Sequence, residues 1–276
     1  MAREKILITA KTYPTLSDKY DELVCTAGLR EDGSWIRLYP IPFRKLEDTR
    51  RYSKFDWIEV NIERNTSDFR PETYRLLSPD SIKVVDKIPC DGNGSWPTRR
   101  KIVLKKVYEN KAKLLADCKH KESCVSLATF KPSKIIDFIA EPDDLTNKYI
   151  DKQNFIEAKQ LQIDLFAGIK PPFKPVDKLT YSFSYKFLDD EGVKSTLKII
   201  DWEIGALYWK CLRKHAGDEV KAIEDVRKKY WDDFAKTKEV FLFLGTTLQF
   251  HRRNAPNPFV IIGVFPPKAV VQASFL

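Results

Sequence analysis

Residues 23–44, LVCTAGLREDGSWIRLYPIPFR, contain the pattern that decides the fold prediction. Two apolar runs flank a polar group at 31–34, which is typical of a β-hairpin because Asp, Gly and Ser favour turns. Successive side chains of a strand point to opposite faces. Ile36 and Leu38 therefore share a face that suits a core. The other face carries two aromatic rings around a guanidinium: Trp35, Arg37 and Tyr39.

This second face has the chemistry of a nucleic-acid contact. Aromatic rings stack on bases, and a guanidinium pairs with phosphates. The alternative is that another element of the protein covers the face. The hairpin alone does not separate the two interpretations.

The composition indicates a folded protein without a membrane segment. With 276 residues, 43% of them apolar, the chain can fill one large core or two medium ones. No apolar run approaches the roughly 20 residues of a membrane helix, and the first residues lack the apolar centre of a signal peptide. Five cysteines at irregular spacing do not resemble a secreted disulfide framework. We expect a cytoplasmic protein with no membrane partner.

Positive charge is concentrated in one part of the chain. The net charge is +9, and residues 97–121 hold nine Lys and Arg against Glu109 and Asp117. Apolar periodicity predicts one helix over residues 98–117 with a basic outer face. Such a concentration is typical of polyanion binding, although a solvated helix without a partner is the alternative. Four cations are the predicted phosphate contacts: Arg99, Arg100, Lys105 and Lys106.

Short strands dominate the first half of the sequence, which predicts a small barrel-like β domain with a basic helix over residues 1–168. Strands are expected at 5–9, 23–30, 35–39, 55–63 and 82–88. A further strand pair within 125–140 is expected to return to the same sheet. Three prolines within 170–175 predict a stiff linker after this domain.

The remaining residues, 176–276, mix strands and helices, so the whole chain is predicted to be α+β. Alternating aromatic residues predict a strand at 181–187 whose rings either stack bases or, as is commoner, face a core. The other expected elements are helices at 199–215 and 218–234 and strands at 240–245 and 259–265. A loop between the last two strands could hold a phosphate or a base edge, or be a solvated turn. Its polar residues are His251, Arg252, Arg253 and Asn254.

Metal and cofactor motifs are weak. Cys118, His120 and Cys124 are candidate ligands, but zinc usually takes four ligands as two close pairs. Glycine-rich nucleotide motifs are absent from the sequence. We therefore expect no metal and no cofactor.

Three carboxylates are weak candidates for catalysis. Asp201 and Glu203 lie near a predicted helix start, where acidic residues are also favoured by the helix dipole. Asp80, followed by Glu109 and Lys111, imitates the spaced Asp and Glu-x-Lys of metal-dependent nucleases. The predicted helix over that region argues against this arrangement.

Two parts of the chain resemble a family of uncharacterised bacterial proteins. The shared features are an aromatic strand, a D-W-E helix start at 201–203 and a closing G-x-F-P-P strand at 263–267. Cys and His often lie between the first two features in that family, whereas residues 188–197 contain neither here. The N-terminal block around 25–44 looks like the same family's opening, and it is also similar to PUA-like barrels, which implies binding of RNA or modified bases.

These observations favour a nucleic-acid-binding protein. A more specific hypothesis is that it recognises modified or unusual bases in defence or regulation. One alternative is a hydrolase that acts on nucleic acid, either a nuclease or a base-removing enzyme. Another is a protein-interaction or toxin-antitoxin component. The sequence does not separate DNA from RNA or indicate an oligomeric state.

Overall fold

The computed structural model of the chain describes residues 2–17, 20–143, 153–156 and 173–270. In these residues the strands form two seven-stranded sheets, the second of which carries most of the helical structure. The predicted α+β class is confirmed. No helix in the described ranges is long and apolar enough to cross a bilayer.

The first sheet closes into a barrel. Its strands are β1 (Ala2–Lys11), β2 (Thr15–Ser17), β3 (Asp21–Arg30), β4 (Trp35–Ile41), β5 (Asp56–Arg64), β6 (Thr73–Leu76) and β7 (Lys83–Lys87). Because β1 pairs with both β3 and β5, five strands close in the order β1-β3-β4-β6-β5. β2 adds to β3, and β7 adds to β5. The barrel-like prediction for the N-terminal strands is confirmed.

The hairpin at the centre of the prediction is β3 and β4. Its turn is held by the Asp32 carboxylate, which accepts from the Ser34 amide at 2.8 Å, and Gly33 supplies a φ of 90°. Strand alternation then places Ile36 and Leu38 in the barrel core, fully buried with Ile6. The predicted core face is confirmed.

The second sheet has the strand order β10-β11-β12-β14-β13-β9-β8. Its strands are β8 (Val107–Tyr108), β9 (Leu127–Phe130), β10 (Lys134–Pro142), β11 (Tyr181–Leu188), β12 (Lys194–Ile199), β13 (Phe241–Thr246) and β14 (Phe259–Phe265). The helices are α1 (Pro97–Val103), α2 (Lys111–Lys119), α3 (Trp202–Lys214), α4 (Glu219–Arg227), a π-helical segment (Lys228–Ala235) and α5 (Leu248–Arg252). Alternate residues of β11, Phe183, Tyr185 and Phe187, are buried in the core under α3 and α4.

The prediction of a single basic helix over 98–117 is wrong. The chain forms α1, then β8, then α2, because residues 107–108 pair with β9 as a parallel strand. The Asn110 side chain accepts from the Lys113 amide and starts α2 afresh. The basic side chains therefore do not share one helix face.

The prediction that the strands at 125–140 return to the first sheet is also wrong. β9 pairs with β13, and β10 pairs with β11, so both complete the second sheet. The change from the first sheet to the second accordingly precedes residue 107. The predicted linker at 170–175 lies mostly outside the described residues, as does the predicted domain end at 168.

The two sheets meet across a shared apolar layer. Leu7 and Trp57 of the barrel pack in one cluster with Phe243 and Phe265 of the second sheet. The outer face of the barrel is therefore a buried surface where it meets the second sheet. A cavity lies beside this layer.

Candidate functional site

An aromatic pocket of about 520 Å³ lies between the barrel and the second sheet. Cavities of about 300–1,000 Å³ are typical of small-molecule sites. Aromatic rings form much of its wall: Phe55, Trp96, Trp202, Tyr230, Phe234 and Phe265. Charged side chains complete it: Lys54, Arg99, Glu203 and Lys229. The wall thus combines stacking surfaces with hydrogen-bonding groups.

Two of the aromatic residues in the pocket wall have an unusual backbone conformation. Phe55 has a φ of 68°, and Trp96 has a φ of 53° as the residue that precedes α1. Bulky side chains rarely adopt this left-handed region, and such strain concentrates at functional sites. Among the described residues they are the only aromatic ones with positive φ. That both line the aromatic pocket favours a functional role for it.

The π-helical segment supplies a third part of the wall. Lys229, Tyr230 and Phe234 line the pocket from this eight-residue stretch. π-Helical geometry is rare and is frequent at functional sites. The sequence pattern had predicted one regular helix over 218–234, and the change of helix type after α4 is what the pattern does not show.

Arg99 is a buried cation whose donors are only partly used. It is 6% exposed, and its Nη2 and Nε donate to the Ile88 carbonyl at 2.8 and 3.3 Å. Its guanidinium carbon lies 4.1 Å from the centre of the Phe55 ring. Within the described residues, Nη1 has no acceptor and no carboxylate lies within ion-pair distance. Because Arg99 lines the pocket, this unused donor favours a ligand that carries an oxygen or a negative charge.

Lys54 and Glu203 form an ion pair on the same wall. Lys54 Nζ lies 3.0 Å from Glu203 Oε2 and donates to the Val264 carbonyl at 2.8 Å. Burial lowers the pKa of Lys54, but the nearby Glu203 and Asp201 carboxylates raise it above its ordinary value overall. Lys54 therefore stays charged, with one of its three protons left for a ligand.

Asp201 lies next to this pair without lining the pocket. It caps α3 by accepting from the Glu203 amide at 3.2 Å, and its Oδ2 has no donor among the described residues. The side chain is 1% exposed, and burial followed by the charge of Glu203 raises its pKa to about 7. Asp201 is therefore protonated part of the time at neutral pH. Asp80 lies elsewhere, exposed and paired with Arg50 at 2.6 Å.

The aromatic–guanidinium face of the hairpin is covered, as the alternative interpretation held. Trp35 packs edge-on against Phe243 with ring centres 5.7 Å apart. Arg37 is 2% exposed and donates to Ser126 Oγ at 2.8 Å, the Ser126 carbonyl at 3.0 Å and Thr73 Oγ1 at 3.1 Å. Tyr39 is partly buried in the same region. Arg37 is thus used inside the protein.

The cations predicted to contact phosphates are dispersed. Arg99 lines the aromatic pocket, whereas Arg100 pairs with Glu239 at 2.8 Å and donates to backbone carbonyls. Lys105 donates to the Glu31 carbonyl at 3.0 Å, and Lys106 is exposed beside the Tyr108 ring. The four do not form one surface.

The predicted metal and loop residues partly converge. His251 is buried in α5, which replaces the expected loop, and its Nε2 lies 3.5 Å from Cys118 Sγ and 4.0 Å from Cys124 Sγ. His120 is exposed and makes no part of this cluster. Burial raises the pKa of Cys118 to about 12, so its thiol stays neutral. The described residues hold no group of three or more side chains suited to a metal ion.

Several pocket residues carry no sequence signal. Lys54, Phe55 and Trp96 lie in irregular segments, and Phe234 follows a helical pattern that any core helix shows. They meet because five segments that are distant in sequence converge. Positive φ at an aromatic residue has no marker in the sequence, since the usual markers are Gly and Asn.

The comparisons with known proteins agree with this division into two units. A family model described as a domain of unknown function, DUF8758, matches residues 2–105, and a second, DUF8757, matches residues 109–276. No curated protein matches the sequence. A solved structure titled "Structure of murine DNA binding protein bound with ds DNA" aligns over 99% of this chain and 98% of that chain, at 11% identity and a TM-score of 0.33.

The expected membership of an uncharacterised family is confirmed by these models, while the likeness to PUA-like barrels stays a prediction. Both matched regions contribute to the aromatic pocket, Arg99 from the first and Glu203 from the second. Since the second model spans more than half of the chain, this protein belongs to the DUF8757 family, with a DUF8758 domain in front of it.

Proposed function

We propose that the protein binds nucleic acid and receives one unstacked base in the aromatic pocket. The observation that carries the proposal is Arg99, a buried guanidinium with a free Nη1, on the wall of a pocket rich in aromatic rings. Base–aromatic stacking contributes about 1–3 kcal/mol per base. Proteins that read single bases commonly take them out of the stack into such pockets.

The polar groups of the wall suit a base edge. Arg99 Nη1 and the third proton of Lys54 are donors, and the half-exposed Glu203 carboxylate is an acceptor. A pocket with donors and an acceptor can distinguish bases by their edges, which is the basis for proposing that it recognises modified or unusual bases. The uncompensated positive charge of Arg99 suits a flanking phosphate, whereas Lys229 pairs with Asp233 at 2.6 Å.

The test is a binding titration of labelled single- and double-stranded DNA and RNA across a salt series. Arg99→Met should weaken binding about 10-fold or more, because a charge-assisted hydrogen bond is lost. Phe234→Ala should act in the same direction, whereas Arg213→Met, which removes an exposed arginine of α3, serves as the matched control. Wild-type affinity in both pocket variants would overturn the proposal.

Base recognition is tested with the same strands carrying one abasic analogue. If a base enters the pocket, replacing that base with the abasic analogue should lower the affinity of the wild-type protein. The same replacement should change the affinity of Arg99→Met little. A panel of modified bases at the sensitive position then defines the preference. Equal losses in wild type and variant would place the base contact elsewhere.

A base-removing hydrolase is the second candidate, favoured by the Asp201 carboxyl, whose pKa is about 7, beside Glu203 on the pocket wall. A pair of neighbouring carboxyls in unlike surroundings is a usual arrangement for acid–base work: Asp201 is buried behind the wall, and Glu203 is half-exposed on it. Incubated strands should then show abasic products, and Glu203→Gln should abolish them while binding persists. Intact strands in every condition would leave binding as the function.

A further inference from the structure

We propose that a second surface, built around His251, binds single-stranded nucleic acid by stacking unpaired bases on Phe69 and Phe250. Its other members are cations at the protein surface, and we call the whole set the His251 surface: Phe69, Phe250, Arg252, Arg253, Lys119 and Lys121. It shares no residue with the aromatic pocket.

His251 joins three distant segments at this surface. Its ring lies 4.9 Å from the Phe69 ring, and its Nδ1 lies 3.2 Å from Thr246 Oγ1. Its Nε2 faces Cys118 Sγ at 3.5 Å, which brings the end of α2 alongside α5. The ends of α2 and α5, which carry Lys119 and Arg252, therefore lie close together.

Hydrogen bonds hold the segments in place. Arg252 Nη2 donates to the Ser67 carbonyl at 2.9 Å, and Arg70 Nη1 donates to the Thr246 carbonyl at 2.6 Å. Phe69 directly precedes Arg70, and Phe250 lies two residues before Arg252. A surface that is ordered before binding loses less conformational entropy when a ligand arrives.

The two phenylalanines are exposed although the protein has ample core. Phe69 is 48% exposed and Phe250 is 46% exposed. The four cations are exposed, and none of them pairs with a carboxylate among the described residues, where Glu122 is the acidic neighbour in sequence. Aromatic rings beside uncompensated positive charge suit a polyanion that also presents flat apolar faces.

A single strand fits this combination better than a duplex. In a duplex the base faces are already stacked, so only the cations of the surface would be used. In a single strand, every base offers a free face to a phenylalanine while its phosphates reach the arginines and lysines. The surface therefore takes a single strand.

The experiment compares single strands and duplexes with the double variant Phe69→Ala/Phe250→Ala. Single-strand affinity should fall about 10-fold or more, with an unchanged salt slope and little change for duplexes. Arg252→Gln/Arg253→Gln should instead lower the single-strand salt slope by about 1.4. Val220→Ala, at an exposed apolar residue of α4, is the control, and thermal melting confirms folding.

Wild-type single-strand affinity in the phenylalanine variant would overturn the proposal. Equal losses of affinity for single strands and duplexes in the phenylalanine variant would also overturn it. A wild-type protein that binds polyglutamate more tightly than single strands would overturn it as well. Repeating the series in Arg99→Met separates the two sites. A phenylalanine effect that persists there supports the His251 surface even if the aromatic pocket proves not to hold a base.

Discussion

Two buried arginines, Arg37 and Arg99, show how the same side chain serves different ends. Both are at most 6% exposed, and Arg99 lies over the Phe55 ring. Arg37 donates to three oxygens of Ser126 and Thr73, whereas Arg99 donates only to the Ile88 carbonyl. Arg37 therefore completes the packing of two sheets, and Arg99 keeps a donor for a ligand. Satisfied hydrogen bonds, more than burial, separate the two roles.

The largest expected effect on stability is at Arg37, and it tests the structural role given to that residue. Arg37→Met should lower the free energy of unfolding by about 3 kcal/mol or more, since hydrogen bonds from a charged donor contribute about 1.5–3 kcal/mol each. Urea titration followed by fluorescence measures this change. A variant as stable as wild type would show that Arg37 is not needed between the sheets.

Arg99→Met should lower stability less than Arg37→Met does, and it should lower affinity as well. Met loses the bonds to the single Ile88 carbonyl, so the free energy of unfolding should fall by about 1.5–3 kcal/mol. Nucleic-acid affinity should still fall about 10-fold or more. If urea titration instead shows a loss like that of Arg37→Met, Arg99 is a structural residue.

The next largest effect is the pH dependence of stability that the protonation of Asp201 causes. Its folded pKa, about 7, exceeds the unfolded value of about 3.9, so the folded state holds the proton more tightly. The stabilisation is fully present below about pH 4 and is lost as the pH rises through about 7. Asp201→Asn keeps the cap and removes the charge, so the melting temperature should fall less between pH 5 and pH 8 than in wild type.

Asp218, the cap of α4, is the matched control for this measurement. Its pKa is lowered chiefly by the hydrogen bond from the Lys221 amide, so its contribution is lost as the pH falls. Asp218→Asn should therefore change stability with the opposite pH dependence. Parallel pH profiles for the two variants would contradict the assignment of Asp201.

The smallest effect on affinity is expected at Arg100, the neighbour of Arg99. Arg100→Gln removes an ion pair with Glu239 and hydrogen bonds to the Ser95 and Lys268 carbonyls, so the melting temperature should fall. Affinity should stay within about twofold, because Arg100 does not line the aromatic pocket. A large loss of affinity would move the nucleic-acid contact from the pocket wall to the surface.

Local periodicity accounts for what the sequence predicted well. The β3–β4 hairpin, the aromatic strand β11 and the closing strand β14 lie where alternation placed them. The partners of β9 and β10 were missed because strand pairing depends on residues far away in the chain. The break between α1 and α2 was missed for the same reason, since β8 exists only through its pairing with β9.

The candidate site was predicted in pieces. Arg99, Asp201 and Glu203 were each selected from local chemistry, but for different roles, and Lys54 was not selected at all. These residues come together only because the barrel packs against the second sheet. His251 was expected in a loop, and its contacts with Phe69 and Cys118 are likewise long-range.

The aromatic pocket takes its wall from both domains, and this has a thermodynamic consequence. A ligand that binds only the assembled wall stabilises the assembled state by mass action. Occupancy would therefore raise the unfolding temperatures of the DUF8758 and DUF8757 regions together, and the ligand would act as a third component of the domain interface. The two regions would then be one cooperative unit when the pocket is filled, whatever their independence when it is empty.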